Sequence, residues 1–135
     1  MKKAIKLFLR LAISFGFLSA VGDRFGLWPE EISTWGNWDN FLQYTAIINP
    51  WFPNSMISAL AIIATAAEIV FAICLLIGFK TQLFAKLSGI LLLIFALSMA
   101  FSVGIKPVFD YSVFIAAAGA FALGTMKERF LEVSK

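Results

Sequence analysis

Histidine does not occur anywhere in the 135 residues. Imidazole-ligated haem, His-based zinc sites and His general bases are therefore excluded within this chain, and its serines and aspartates cannot complete a Ser-His-Asp triad. Cysteine occurs once, at Cys74, so a single chain can form neither an internal disulfide nor a CxxC relay. The apolar stretch around Cys74 marks it as a buried small hydrophobe rather than a reactive thiol. There is no Gly-rich phosphate loop, HExxH motif or nucleophile elbow, and no metal site is expected. Charge is also scarce. Asp, Glu, Lys and Arg make up 14% of the residues, too few to coat a soluble globular domain. The net charge of +3 is dispersed and accompanied by no recognisable nucleic-acid motif, which argues against a nucleic-acid partner.

What fills the chain instead is hydrophobic: 61% of the residues, with a mean hydropathy of +0.89, a balance typical of a polytopic membrane protein. The stretch SMISALAIIATAAEIVFAICLLIG, residues 55–78, carries one ionisable side chain, Glu68. As a helix it is about 36 Å long, enough to cross a hydrocarbon core of about 30 Å. Three further apolar stretches, about residues 6–27, 82–104 and 108–126, read as spans. Between the first and second lies WPEEISTWGNWDNFLQYTAIINPWFPN, residues 28–54, which holds all four tryptophans: Trp28, Trp35, Trp38 and Trp51. Such rings collect between water and lipid, so this segment is expected to lie along the membrane surface as an interfacial belt, with an aromatic binding platform as the alternative. Within it, Asp39 is expected to cap a short helix through Ile48, with Phe41, Leu42, Tyr44, Thr45 and Ile48 on its apolar face. The expected fold is all-α: a four-helix transmembrane bundle forming one membrane domain over residues 1–135, with a Trp-rich outer loop or helix between its first two helices. The tail KERFLEVSK is expected to be helical or frayed.

Basic residues set the expected sidedness. With the N-terminus inside, Lys2, Lys3, Lys6, Arg10, Lys80, Lys86, Lys127, Arg129 and Lys135 are cytoplasmic, and only Arg24 and Lys106 lie outside. This implies the bacterial inner membrane with both termini in the cytoplasm. The start of the chain also loosely fits a signal peptide ending near Ala20-Val21-Gly22, and intact mass would separate the two readings. Arg10 interrupts the apolar segment early, which favours a retained first span.

A carboxylate near mid-depth costs at least about 2.5 kcal/mol unless it is protonated, paired or faces a polar cavity. Ser58, Ala61, Thr65, Glu68 and Ala72 share one helix face, so Glu68 is expected to point into the bundle. Counting depth at 1.5 Å per residue puts Glu68 about 15 Å in, Arg10 about 6 Å and Lys86 about 7 Å. Arg10, and after it Lys86, is the expected partner, since a guanidinium fork can hold a carboxylate at two points. A second group, Asp23, Arg24, Lys106 and Asp110, belongs to the outer helix ends. It either pins those ends at the interface or tops an aromatic-walled pocket suited to a quinone head group or another amphipathic small molecule.

Three stretches, RLAISFGFLSAVGDRFGLW at 10–28, AEIVFAICLLIGFKTQLFAKLSGILLL at 67–93 and FDYSVFIAAAGAFALG at 109–124, resemble the DoxX family of small bacterial four-helix membrane proteins. That family takes its name from a membrane subunit associated with quinol oxidase and thiosulfate:quinone oxidoreductase systems. The resemblance implies an inner-membrane bundle partnered with a membrane or periplasmic redox enzyme, quinone as the small molecule, and Arg10, Glu68 and Asp110 as polar anchors. The functions it leaves are, in order, a non-catalytic membrane subunit that anchors a partner, a quinone-holding redox component in which Glu68 handles protons, and a small-solute or proton transporter. The third reading lacks the discontinuous helices and inverted repeats common in transporters.

Overall fold

A computed structural model of the chain describes residues 1–134; Lys135, counted above among the cytoplasmic bases, lies outside the described residues. Six α-helices follow in order: α1 (Lys2–Arg24), α2 (Trp38–Ile48), α3 (Asn54–Ile77), α4 (Thr81–Ser102), α5 (Ile105–Asp110) and α6 (Val113–Gly124). No strand occurs among the described residues. Three of the helices, α1, α3 and α4, are long and apolar enough to cross a membrane. Each packs only part of its circumference. On α3, Ala61, Thr65, Glu68 and Ala72 are buried while Ile62, Ile63, Val70 and Ile73 are exposed, the division the small-residue face predicts, except that Ser58 near the start of the helix is exposed and Ile57 is buried beside it. Cys74 is half-buried rather than buried.

The helices form a ring in which α1 touches α3 and α6, and α4 touches the same two. The backbones of opposite members, α1 with α4 and α3 with α6, stay apart among the described residues, so the ring has an interior, which Leu75, Ala85 and Leu123 fill at one level. The closest pairing is α4 with α6. A methyl at Gly89 would lie 2.9 Å from the Phe121 ring, and one at Gly124 2.6 Å from Lys86 Cγ, so these two glycines let the helices approach. Ala96, Ala117 and Ala120 fill the same seam.

Helix ends follow from local chemistry. Gly26, at φ +73°, ends α1, and the amides of Gly26 and Leu27 return to the carbonyls of Asp23 and Gly22. That is the Schellman pattern, which requires a left-handed residue. Gly78, at φ +76°, does the same for α3, with the Phe79 amide donating to Cys74 O at 2.8 Å. The short link to Thr81 then makes α3 and α4 antiparallel neighbours, as the sequence implies.

Three expectations need correction. The cap of α2 is Asn37, whose side chain accepts the Asn40 amide at 2.8 Å; Asp39 is already inside the first turn, where its charge suits the helix dipole. Phe41, Thr45 and Ile48 do form its buried face. The stretch expected to form one span over 108–126 is broken at Tyr111 and Ser112, with Ser112 at φ +56°. Asp and Ser compete with the helix for backbone bonds, and the remaining 12-residue α6 is about 18 Å long, short of a full crossing on its own. Finally, the tail is neither helical nor frayed. Through Ser134 it folds back across the end of the ring that holds the start of α1, and the amides of Val133 and Ser134 donate to Ile77 O and Gly78 O, each at 3.1 Å.

Gly78 therefore serves two purposes. A Cβ there would sit 2.5 Å from Glu132 Cα, and its left-handed φ disfavours any other residue. Gly78→Ala is expected to destabilise the chain by about 1–3 kcal/mol and to expose the tail to protease, as read by a detergent melt and limited proteolysis.

Candidate functional site

The buried face of α1 runs Lys6, Arg10, Ser14, Phe17, Val21 and Arg24, at spacings of three and four. Arg24 is its last residue and only 1% exposed. Its neighbour Asp23 turns the other way and accepts the amides of Thr34, Trp35 and Gly36 at 2.6, 3.0 and 2.8 Å. Three amides fixed on one carboxylate clamp residues 34–36 over the end of α1. With that lid in place, the Arg24 guanidinium turns inward, between the rings of Phe41 at 3.9 Å and Trp35 at 5.2 Å.

There it meets Glu68. Arg24 Nη2 donates to Glu68 Oε1 at 3.1 Å, Nη1 donates to Glu68 Oε2, and Nη1 also donates to Thr65 Oγ1 at 2.8 Å. The pair is bidentate and buried, as a planar fork and a carboxylate favour. Three of the five N–H donors of Arg24 are used in this way, and Arg24 Nε is buried without an acceptor.

Below this pair lies a cavity of about 550 Å³ inside the ring of helices. Its walls are mostly apolar, from Phe17 on α1, Leu92, Phe95 and Met99 on α4, and Val113 on α6. Its polar groups gather at one end, from Arg24, Glu68, Thr34, Tyr44 and Tyr111, with the Trp35 ring beside them. Burial, and secondarily the charge of a Tyr111 phenolate, push the Tyr44 phenol above its ordinary range. Tyr44 therefore stays protonated at physiological pH and keeps a hydroxyl donor in the chamber.

Glu68 thus faces inward as its helix face predicts, but its expected partners are wrong. Arg10 lies at the other end of α1 and donates to four backbone carbonyls, those of Leu75, Leu76, Phe130 and Leu131. Lys86 is exposed on α4. Counting Cα depth misled because it treated Arg24 as a surface residue snorkelling outward; the clamped lid sends its side chain inward instead. The missed signal was the α1 face itself, which carries Arg24 in register with Arg10. Lys6 was missed as well. It is buried and bridges Glu132 Oε1 at 2.6 Å, while its ammonium also donates to Glu128 O.

The outer group of four charges does not form a cluster. Lys106 and Asp110 pair with each other at 2.8 Å, one turn apart on α5, and both are exposed. Asp23 holds the lid and Arg24 enters the ring. Among the tryptophans, Trp35 lines the cavity, Trp38 stacks on Phe25, Trp28 donates to Ser19 O at 3.0 Å, and Trp51 is exposed.

No protein-family model, curated protein or solved structure matches the chain. What the site can do must follow from its own geometry. A closed ion pair adds little net charge to the chamber, so it disfavours an isolated ion. The Tyr44 hydroxyl and the polar end lined by Arg24, Glu68, Thr34 and Tyr111 favour a molecule with an accepting oxygen at one end and an apolar body.

Proposed function

We propose that this chain is a DoxX-like inner-membrane protein that holds a membrane-dissolved small molecule of the quinone class for a redox partner. The observation that carries the reading is the cavity of about 550 Å³, apolar along its length and polar only beneath Arg24 and Glu68. Its volume falls within the range of small-molecule sites, roughly 300–1,000 Å³. A quinone ring offers carbonyl oxygens to the polar end and an isoprenoid tail to the apolar remainder. In this reading α1, α3 and α4 cross the bilayer, α5 and α6 together make the fourth crossing, and both termini face the cytoplasm. Residues 28–53 then rest on the outer surface. Having no histidine and a single cysteine, the chain positions the ligand while the partner supplies the electrons.

This ranks ligand holding above simple anchoring, because an anchor has no use for a chamber with a built polar end. The break between α5 and α6 is a discontinuity of the kind found in transporters. Its charged residues, Lys106 and Asp110, are exposed and paired with each other, so it lends no support to a transport path.

The test uses the protein in lipid nanodiscs, with Trp28, Trp38 and Trp51 replaced by Phe so that Trp35 reports on the cavity. A decyl-tailed benzoquinone is expected to quench Trp35 saturably, at one molecule per chain by native mass spectrometry. Quenching no greater than the same probe produces on an exposed tryptophan, with no bound molecule retained, would overturn the proposal.

A further inference from the structure

The chamber has a side opening. Near the end that holds the start of α1, α1 and α6 are in close contact: a methyl placed at Gly119 would lie 3.6 Å from Leu9 Cδ2. Toward the lid α6 starts only at Val113, and the cavity lining from α1 includes the small residues Ala12, Gly16 and Ala20 beside Ile13 and Phe17. Ala12, Gly16 and Ala116 each line the cavity and are each exposed. A Cβ built on Gly16 meets nothing within 4 Å. The interior therefore communicates sideways, midway along a helix whose outer surface is apolar.

The opposite end of the same space is polar: Arg24 and Glu68 line it, with Thr34, Tyr44 and Tyr111 beside them. A ligand oxygen at that end can accept from the Tyr44 hydroxyl, which stays protonated. From Arg24 to Gly16 is about 12 Å along α1, a distance that a head group and the first part of a chain would span.

The geometry points to a lateral portal between α1 and α6, through which a single-chain amphiphile from the bilayer enters, seats a carbonyl oxygen at the polar end lined by Arg24, Glu68 and Tyr44, and leaves its tail lying past Gly16 into the acyl region. The inference rests on the ligand-holding function proposed above and adds the route, the orientation and the requirement for a tail. The alternative route passes Thr34 and Tyr111, which are exposed beside the lid and would admit a molecule from water.

The test compares the wild type with Gly16→Phe, Ala116→Phe and Gly16→Ala in nanodiscs, using a decyl-tailed benzoquinone and the same ring without a tail. Both Phe variants are expected to bind the tailed probe roughly tenfold to a hundredfold more weakly, the penalty for overpacking a seat made for the tail. Gly16→Ala should bind it as the wild type does. The tailless ring should bind all four proteins alike, which also shows that the head-group site remains folded. Unchanged affinity for the tailed probe in both Phe variants overturns the portal and leaves the ligand site standing. So does a wild type that gains nothing from the tail, or an equal loss of both probes. A wild type that binds neither probe overturns the portal and the proposed function together.

Discussion

Replacing Glu68 with alanine is expected to destabilise the folded chain by about 3–5 kcal/mol, the cost of leaving one member of a buried ion pair without the other. Arg24 is 1% exposed, its guanidinium is packed against Phe41 and Trp35, and the lid held by Asp23 blocks an outward rotamer. Thr65 Oγ1 would remain as its single partner. The fork would keep its full charge and lose both carboxylate oxygens. Glu68→Gln should cost less, since an amide still accepts one bond while losing the charge. The double variant Arg24→Met/Glu68→Leu should recover most of the stability, because replacing both charges with apolar side chains of similar size removes the desolvation penalty along with the attraction. That recovered protein should not bind a quinone, since it lacks the pair that makes one end of the cavity polar. Unfolding by SDS titration in mixed micelles measures all three variants. A Glu68→Ala protein within about 1 kcal/mol of wild type would show that the pair is no more than a surface-type contact.

Much of this site was visible in the sequence, and the failures have physical causes. Three long helices follow from hydrophobic length alone. The inward placement of Glu68 follows from the spacing of Ala61, Thr65 and Ala72, because small residues mark where another helix comes close. Arg24 was on the page too, in step with Arg10 along α1, yet depth counting fixes only where a Cα sits. An arginine side chain can turn toward water or away from it, and the choice was made by a loop thirteen residues further on, through the amide that Gly36 gives to Asp23. Such a bond leaves no periodic trace. The break at Tyr111 and Ser112 was hidden for a related reason: the stretch is apolar on average, and hydropathy does not register a single residue in the left-handed region. The tail was misread because its sequence is polar and short. Its order comes from backbone groups at the end of α3 and from Arg10 and Lys6, none of which its own composition reveals.

Arg10→Ala is expected to release that tail and to cost on the order of 3 kcal/mol. The reason lies in the last four carbonyls of α3, which a helix leaves without internal partners. Cys74 O accepts from the Phe79 amide, and Ile77 O accepts from the Val133 amide. The two between them depend on Arg10, whose Nε donates to Leu75 O at 2.8 Å and Nη2 to Leu76 O at 3.0 Å. The same guanidinium reaches Phe130 O at 2.8 Å and Leu131 O at 3.0 Å, so one side chain ties the tail to the helix end. Its positive charge also sits at the negative end of the α3 dipole. Removing it orphans two α3 carbonyls in an apolar setting and frees the tail at Phe130 and Leu131. Lys6 and Glu132 would then be the main remaining side-chain tie, and Val133 would lose its register on Ile77. Hydrogen exchange should show the amides of Val133 and Ser134 losing protection in Arg10→Ala while those in the middle of α3 keep theirs. Arg10→Lys separates charge from geometry. An ammonium restores the dipole term and reaches one or two carbonyls, but it cannot span all four as the planar fork does, so protection and stability should fall between those of wild type and Arg10→Ala. Equal behaviour of the lysine and alanine variants would mean that the fork alone matters, and a lysine variant matching wild type would mean that the charge alone does.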